Sequence, residues 1–229
     1  MRGCFVTGTD TGVGKTLCSQ GLILALASRG LKVAAMKPVA SGADFDPQRP
    51  TRLVSEDATA LRSVSNVDLP YGDLNPYCFK EPISPHIAAD LAGIDIEIET
   101  ILRHLRALAA RSEAVVVEGA GGFLVPLNDR QDMAELARAV ALPVVLVVGL
   151  RLGCLNHAFL TAEAIRSRGL PFAGWIANAI DPQFEQAEAN LATLQQQLGA
   201  PLARLPYGVR AAAAGAQLAT SLGRWFEKT

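Results

Sequence analysis

The nine residues Gly8-Thr9-Asp10-Thr11-Gly12-Val13-Gly14-Lys15-Thr16, between a short apolar run and a helical one, constrain this chain more than any other feature. In such a loop the backbone N–H groups point inward, and the helix that opens there adds partial positive charge, so phosphate oxygens are the natural ligand. Lys15 is placed to reach β- and γ-phosphates, and the Thr16 hydroxyl to ligand Mg²⁺. The spacing departs from the simple G-x-x-x-x-G-K-[ST] form, because five residues separate Gly8 from Gly14 and Thr9 stands at the usual first glycine. Gly14-Lys15-Thr16 in a strand-to-helix setting nevertheless assigns the loop to ATP or GTP.

A phosphate loop requires a parallel strand before it and a helix packed back on the sheet, and the rest of the chain supplies more of both. Gly3–Thr7 reads as the first strand, Thr16–Ser28 as the following helix with Gly30 as its C-terminal glycine, and Lys32–Lys37 as a strand stopped by Pro38. Ser112–Glu118, Val144–Val148 and Phe172–Ala177 are continuous apolar runs, the pattern of parallel strands buried on both faces. Between them, Ile98, Ile101, Leu102, Leu105 and Leu108 keep helical spacing, as do Leu191, Leu194 and Leu198. This alternation predicts a P-loop NTPase-like α/β fold: a doubly wound, mostly parallel sheet with helices on both faces, in a single domain over 1–229. Ala40–Pro85 breaks the rhythm. It is rich in Pro, Asp, Ser and Asn and begins at a strand end, where substrate loops are expected.

Composition narrows the function. With 229 residues and a net charge of −1, and without a block of Lys or Arg, the chain lacks the basic footprint of a nucleic-acid binder. No apolar run approaches the ~20 residues of a membrane helix, and Met1–Val6 lacks signal-peptide architecture, so a cytoplasmic enzyme is expected. The four cysteines (Cys4, Cys18, Cys78 and Cys154) form no C-x-x-C pair; Cys4 and Cys18 fall on apolar elements and read as buried thiols.

Three charged residues stand at strand ends or a helix start, where ligand chemistry is expected. Glu118 closes Ala114–Val117, which suits either a carboxylate near Mg²⁺ or a solvent-facing strand end. Gly119, Ala120, Gly121 and Gly122 after it permit close approach of backbone to a ligand. Lys37 either projects toward the phosphate loop or keeps its amine in solvent. Asp57 opens a helix over Asp57–Arg62 as a second metal carboxylate or as the helix N-cap, with Glu56 competing for either role.

Taken together with the loop, Lys37-Pro38-Val39-Ala40-Ser41-Gly42 resembles the dethiobiotin synthetase family. Asn75-Pro76-Tyr77, Ser84-Pro85-His86, Val117–Gly122, Leu152-Gly153-Cys154-Leu155-Asn156-His157 and Gly174-Trp175-Ile176-Ala177-Asn178 follow in the same order, covering the chain to about Pro206. The resemblance implies a reaction in which CO₂ and ATP convert 7,8-diaminopelargonate to a cyclic urea through a carbamate and a carbamic-phosphoric anhydride. It implies Thr16, Asp57 and Glu118 on the Mg²⁺ side, Thr11, Lys15 and Lys37 facing carbamate and phosphate, and Ser41 on the substrate. Nucleotide contacts extend over Gly12, Val13, Gly14, Leu17 and Gly119–Gly121. Asn178 would read the adenine edge beside the backbone of Pro206, Tyr207 and Gly208. Leu152, Gly153 and Asn156 would form a carboxylate site across a homodimer interface, although Asn156 reads equally as a helix N-cap.

Two departures from the family bear on selectivity. Gly12 stands where many members carry an acid, and Val209–Ala219 lacks the acid expected near the ribose, so modest discrimination among triphosphates is expected. The competing class is the nucleotide-switch ATPase of the partitioning and septum-positioning type. Such proteins carry an additional lysine five residues before the loop lysine, where this chain has Asp10, and Ala211–Trp225 has few charges for a membrane-binding helix. A corrin amidotransferase would need a glutaminase domain for which this length leaves no room.

Overall fold

The computed structural model describes residues 1–221. In chain order its elements are β1 (Arg2–Gly8), α1 (Lys15–Ala27), β2 (Val33–Met36), β3 (Val39–Ala40), β4 (Asp44–Asp46), β5 (Arg49–Val54), α2 (Glu56–Val64), α3 (Tyr71–Leu74), β6 (Tyr77–Cys78), α4 (Pro85–Ala92) and α5 (Ile98–Ala109). Then follow β7 (Ala114–Gly122), α6 (Met133–Val140), β8 (Val144–Leu150), α7 (Cys154–Ser167), β9 (Phe172–Ala179), α8 (Ala187–Leu198), β10 (Ala203–Leu205) and α9 (Ala211–Ser221).

Six strands form one sheet in the order β10-β9-β8-β1-β7-β2, every neighbouring pair parallel. The expected mostly parallel α/β sheet is therefore observed. β8 is buried at every residue, and β1 and β7 along most of their length, which is why their sequences are unbroken apolar runs rather than alternating ones. The chain leaves β1 toward β2 and later crosses back over β1 to reach β8. Right-handed crossovers then put α1 on one face and α5, α6, α7 and α8 on the other, and α9, which follows the last strand, packs against α1. On α5, Ile98, Ile101, Leu105 and Leu108 are buried, and on α8 Leu191 and Leu194, as their spacing predicts.

Because the winding reverses at β1, the carboxyl ends of β1, β7 and β8 surround the crevice where ligands of open α/β sheets bind. α9 reinforces the phosphate-loop helix from behind. A Cβ added at Gly215 would lie 2.8 Å from the Leu24 side chain, so the two helices touch backbone to side chain.

Three sequence expectations need correction. β7 does not stop at Glu118 but continues through Gly122, pairing with β1 as far as Gly8 across a register shift; Glu118 thus lies inside a strand. The Ala40–Pro85 stretch is loop at residues 41–43 and 79–84, which reach the ligand side, but not throughout. Besides the helix expected over Asp57–Arg62, which is present as α2, it holds the antiparallel β4–β5 hairpin, the short parallel pair β3–β6 and helix α3, all too short or too polar for periodicity to reveal. Finally, the cap of α2 is Ser55, whose hydroxyl accepts the Ala58 N–H; Asp57 stands in the first turn and is free for other work. Part of the Ala211–Trp225 segment is α9; residues 222–225 lie outside the described residues. No helix among the described residues is long and apolar enough to cross a membrane.

Candidate active site

Gly14 sits at φ +87°, a left-handed conformation that aims the loop's N–H groups together before α1 begins at Lys15. A Cβ there would come within 2.2 Å of the Asn178 amide nitrogen, so glycine is required twice over. Asn178, at the end of β9, donates that amide to the Val13 carbonyl at 2.9 Å and so buttresses the loop from beneath.

The ionisable residues singled out by sequence converge on one point. The Lys37 ammonium lies 2.7 Å from Asp57 Oδ2 and 2.6 Å from Glu118 Oε1, with Lys37 3% and Glu118 0% exposed. The solvent readings of Lys37 and Glu118 are thereby excluded. The Thr16 hydroxyl is 2.8 Å from Asp57 Oδ1 and 2.9 Å from Glu118 Oε1. Burial opposes the charge on Lys37, but the Glu118 and Asp57 carboxylates outweigh it and hold its pKa above the ordinary lysine value. Burial likewise opposes charge on Asp57, and Lys37 reverses that, so the Asp57 carboxyl stays below its usual range. Lys15 is in a different state. Burial, with Lys37 adding to it, brings its pKa down to about 8, and its ammonium folds onto the Asp10 carbonyl at 2.9 Å.

Mg²⁺ prefers a small set of hard oxygen ligands. Glu118 Oε2 is buried without a hydrogen-bond partner, and Thr16 Oγ1 gathers Glu118 Oε1 and Asp57 Oδ1 within 2.9 Å, so the donor set fits such an ion.

These residues face a cavity of about 700 Å³. Thr11, Gly12, Gly14, Lys15 and Thr16 form one wall, Lys37, Asp57, Glu118, Ala120 and Gly121 the floor, and Ser41 with Pro82–Pro85 the other wall. A groove of about 630 Å³ along Asp95–Arg106 and Asn128–Gln131 contains none of the expected site residues. Val13 is buried beneath the loop, Leu17 lies in the first turn of α1, and Gly119 is inside β7, all outside the cavity lining. Pro206, Tyr207 and Gly208 are also outside it, but they follow Leu205, which pairs with Asn178, and so stand beside the loop at the ends of β9 and β10.

Leu152, Gly153 and Asn156 are not gathered into the cavity. They form the exposed start of α7, Leu152 being 88% exposed, with Gly153 rather than Asn156 as the N-cap. Sequence reasoning missed Arg151. Its guanidinium pairs with Asp10 Oδ2 at 2.5 Å, while Asp10 Oδ1 accepts the Thr11 N–H at 2.7 Å, so the end of β8 braces the shoulder of the phosphate loop. A charged residue directly after a fully buried strand was the available signal.

The comparisons with known proteins agree with this geometry. A family model described as an AAA domain matches residues 2–210. The ATP-dependent dethiobiotin synthetase BioD of Aromatoleum aromaticum is 48% identical over 221 residues, covering 96% of each chain. That of Ralstonia nicotianae is 49% identical over 227 residues, with 96% of this chain and 97% of that one covered. Among solved structures, the septum site-determining protein MinD with Mg-ADP from Pyrococcus horikoshii is similar with a TM-score of 0.56 at 17% identity, over 99% of this chain and 96% of the other. At that identity the likeness speaks for the fold alone. Near 50% identity along almost the whole chain speaks for more: this chain belongs to the ATP-dependent dethiobiotin synthetase family.

Proposed function

We propose that this chain closes 7,8-diaminopelargonate and CO₂ into dethiobiotin at the expense of ATP, with Mg²⁺, as a cytoplasmic single-domain ligase acting in a homodimer. One amine of the substrate adds to CO₂ and loses a proton, giving a carbamate. A carbamate oxygen attacks the γ-phosphorus, the bond to the ADP oxygen breaks, and a carbamic-phosphoric anhydride results. The second amine then attacks the carbamoyl carbon, phosphate leaves with the bridging oxygen, and a cyclic urea remains.

Little in this sequence needs a protein nucleophile; it needs placement and neutralisation of oxygens that gain charge. Lys37 serves the carbamate and the transferring phosphoryl group, and Lys15 swings from Asp10 onto the β- and γ-phosphates. Thr11 faces the carbamate and phosphate from the phosphate-loop wall of the cavity, and Ser41 holds the substrate from the other. Thr16, Asp57 and Glu118 would hold Mg²⁺, which supplies charge neutralisation for the phosphate oxygens. Asn178, with the Pro206–Gly208 backbone, lies where the base would reach. Leu152, Gly153 and Asn156 of a partner subunit would take the substrate carboxylate at the N-terminus of α7.

The observation that carries this reading is the buried Lys37 ammonium, held between two carboxylates at the floor of a cavity with a phosphate loop on one wall and Ser41 on the other. The nucleotide-switch reading shares the fold, but Asp10, held by Arg151, stands where its additional lysine would be. The test is a product assay with purified protein, 7,8-diaminopelargonate, bicarbonate, Mg²⁺ and ATP, read by mass spectrometry. Dethiobiotin is expected with wild type and not with Lys15→Ala or Lys37→Ala. ATP hydrolysis without a cyclic urea would remove the substrate assignment.

A further inference from the structure

Lys37 and Asp57 belong to elements separated by the β4–β5 hairpin, so something must fix their relation. Lys37 follows the end of β2, and Asp57 lies in the first turn of α2. A buried polar chain runs between them. Ser55, the cap of α2, donates its N–H to Tyr71 Oη at 2.7 Å, and the Tyr71 hydroxyl donates to Asn75 Oδ1 at 3.2 Å. Asn75 Nδ2 donates to the Lys37 carbonyl at 2.8 Å and to the Tyr77 carbonyl at 3.0 Å. Backbone bonds close the circuit, from Lys37 N–H to the Leu74 carbonyl and from Asn75 N–H to the Tyr71 carbonyl, each at 2.8 Å.

Ser55, Tyr71 and Asn75 are all buried, and the hydroxyl and the amide use their polar atoms within the chain. A satisfied network in a low-dielectric interior has few alternative arrangements, which makes it rigid. The Arg52 guanidinium lies 4.1 Å above the Tyr71 ring and covers it from outside. Burial also pushes the Tyr71 hydroxyl up to about 12, so it remains a donor at neutral pH. Neither Tyr71 nor Asn75 lines the cavity.

We propose that Tyr71 and Asn75 are positioning residues that set the 2.7 Å separation of the Lys37 ammonium and the Asp57 carboxylate by tying the end of β2 to the start of α2. Reactions that run on placement are sensitive to it: about 1 Å of misplacement costs roughly a hundredfold in rate. The kinetic consequence rests on the reaction proposed above, whereas the geometric consequence does not.

The test compares full-length Tyr71→Phe and Asn75→Ala with Leu194→Ala, a core truncation on α8 on the opposite face of the sheet from α2. For Asn75→Ala the expected kcat for dethiobiotin is lower by about tenfold or more, with KM for ATP within about twofold; Tyr71→Phe shows the same split more weakly. Leu194→Ala loses melting temperature but keeps kcat where it is folded. In crystals of the ligand-free variants the Lys37–Asp57 contact is longer by about 1 Å. Wild-type kcat in both relay variants, with only a lowered melting temperature, overturns the proposal, and so does an unchanged ion-pair distance. If Asn75→Ala does not fold, Tyr71→Phe decides by the same two measures. If wild type makes no dethiobiotin, the reaction reading fails, and the ion-pair distance alone keeps or removes the relay.

Discussion

The carboxyl ends of β1, β2 and β7 and those of β8, β9 and β10 open on the same side of one sheet, yet they are built differently. On the first side the candidate residues are buried side chains: Lys37 and Glu118 are out of solvent and hold each other, and Lys15, also buried, is held by the Asp10 carbonyl. On the second side the residues proposed for the base and the substrate carboxylate lie in exposed backbone turns, Leu152–Gly153 and Pro206–Gly208, with Leu152 and Tyr207 left facing solvent. On the proposed function, the difference follows from what each side would have to do. Neutralising a transferring phosphoryl group needs fixed charges in a dry place. Recognising a base edge or a distant carboxylate needs backbone donors and, for the carboxylate, a second surface to complete the site.

The two sides therefore respond differently to substitution. The largest effect is expected from Lys37→Ala, with kcat lower by roughly 10²–10³-fold. The same change leaves Glu118 buried without its partner, which costs about 3–5 kcal/mol and is read as a large fall in the ligand-free melting temperature. If activity falls while stability holds, the claim of a buried, mutually dependent cluster breaks. Gly14→Ala, at the seam between the two sides, meets both φ +87° and the Asn178 amide. It is expected to cost about 1–3 kcal/mol by thermal unfolding, together with a loss of ATP binding.

On the second side Leu152→Asp should leave protomer stability within about 0.5 kcal/mol, because the side chain is exposed, while a carboxylate beside the proposed substrate carboxylate raises KM for the diamine about tenfold. An unchanged KM would move the carboxylate site elsewhere. The smallest expected difference is between nucleotides. With no acid at Gly12 and none within Val209–Ala219, kcat/KM for GTP should lie within about tenfold of that for ATP, and a strict ATP preference in turnover would contradict this.

Legibility in the sequence divides along the same line. The phosphate loop, the buried strands and α5 announce themselves because glycine placement and apolar periodicity follow directly from their geometry. Lys37 and Glu118 were visible as charges at the ends of apolar runs, but their mutual contact was not, since residues 37 and 118 meet only through the pairing of β2 with β7. Asp57 could not be separated from a helix cap until Ser55 was seen to hold that place. The β4–β5 hairpin, with Asp44–Asp46 and Arg49–Val54 mostly exposed, has no buried face to impose an alternating pattern. The Tyr71–Asn75 relay leaves no periodic trace at all, because it consists of single hydrogen bonds between turns. Arg151 was visible as a charge after a buried strand, but its pairing with Asp10, distant in sequence, was not.

On the proposed reaction, this buried cluster directs ATP's γ-phosphoryl group to a carbamate oxygen and not to water. The most direct measurement starts the reaction with ¹⁸O-labelled CO₂ and analyses the released phosphate by mass spectrometry before the label exchanges with solvent. One labelled oxygen is expected in each phosphate, formed in step with dethiobiotin. Phosphate carrying no label from CO₂ would mean that water is the phosphoryl acceptor, and the cluster would then be that of an ATPase.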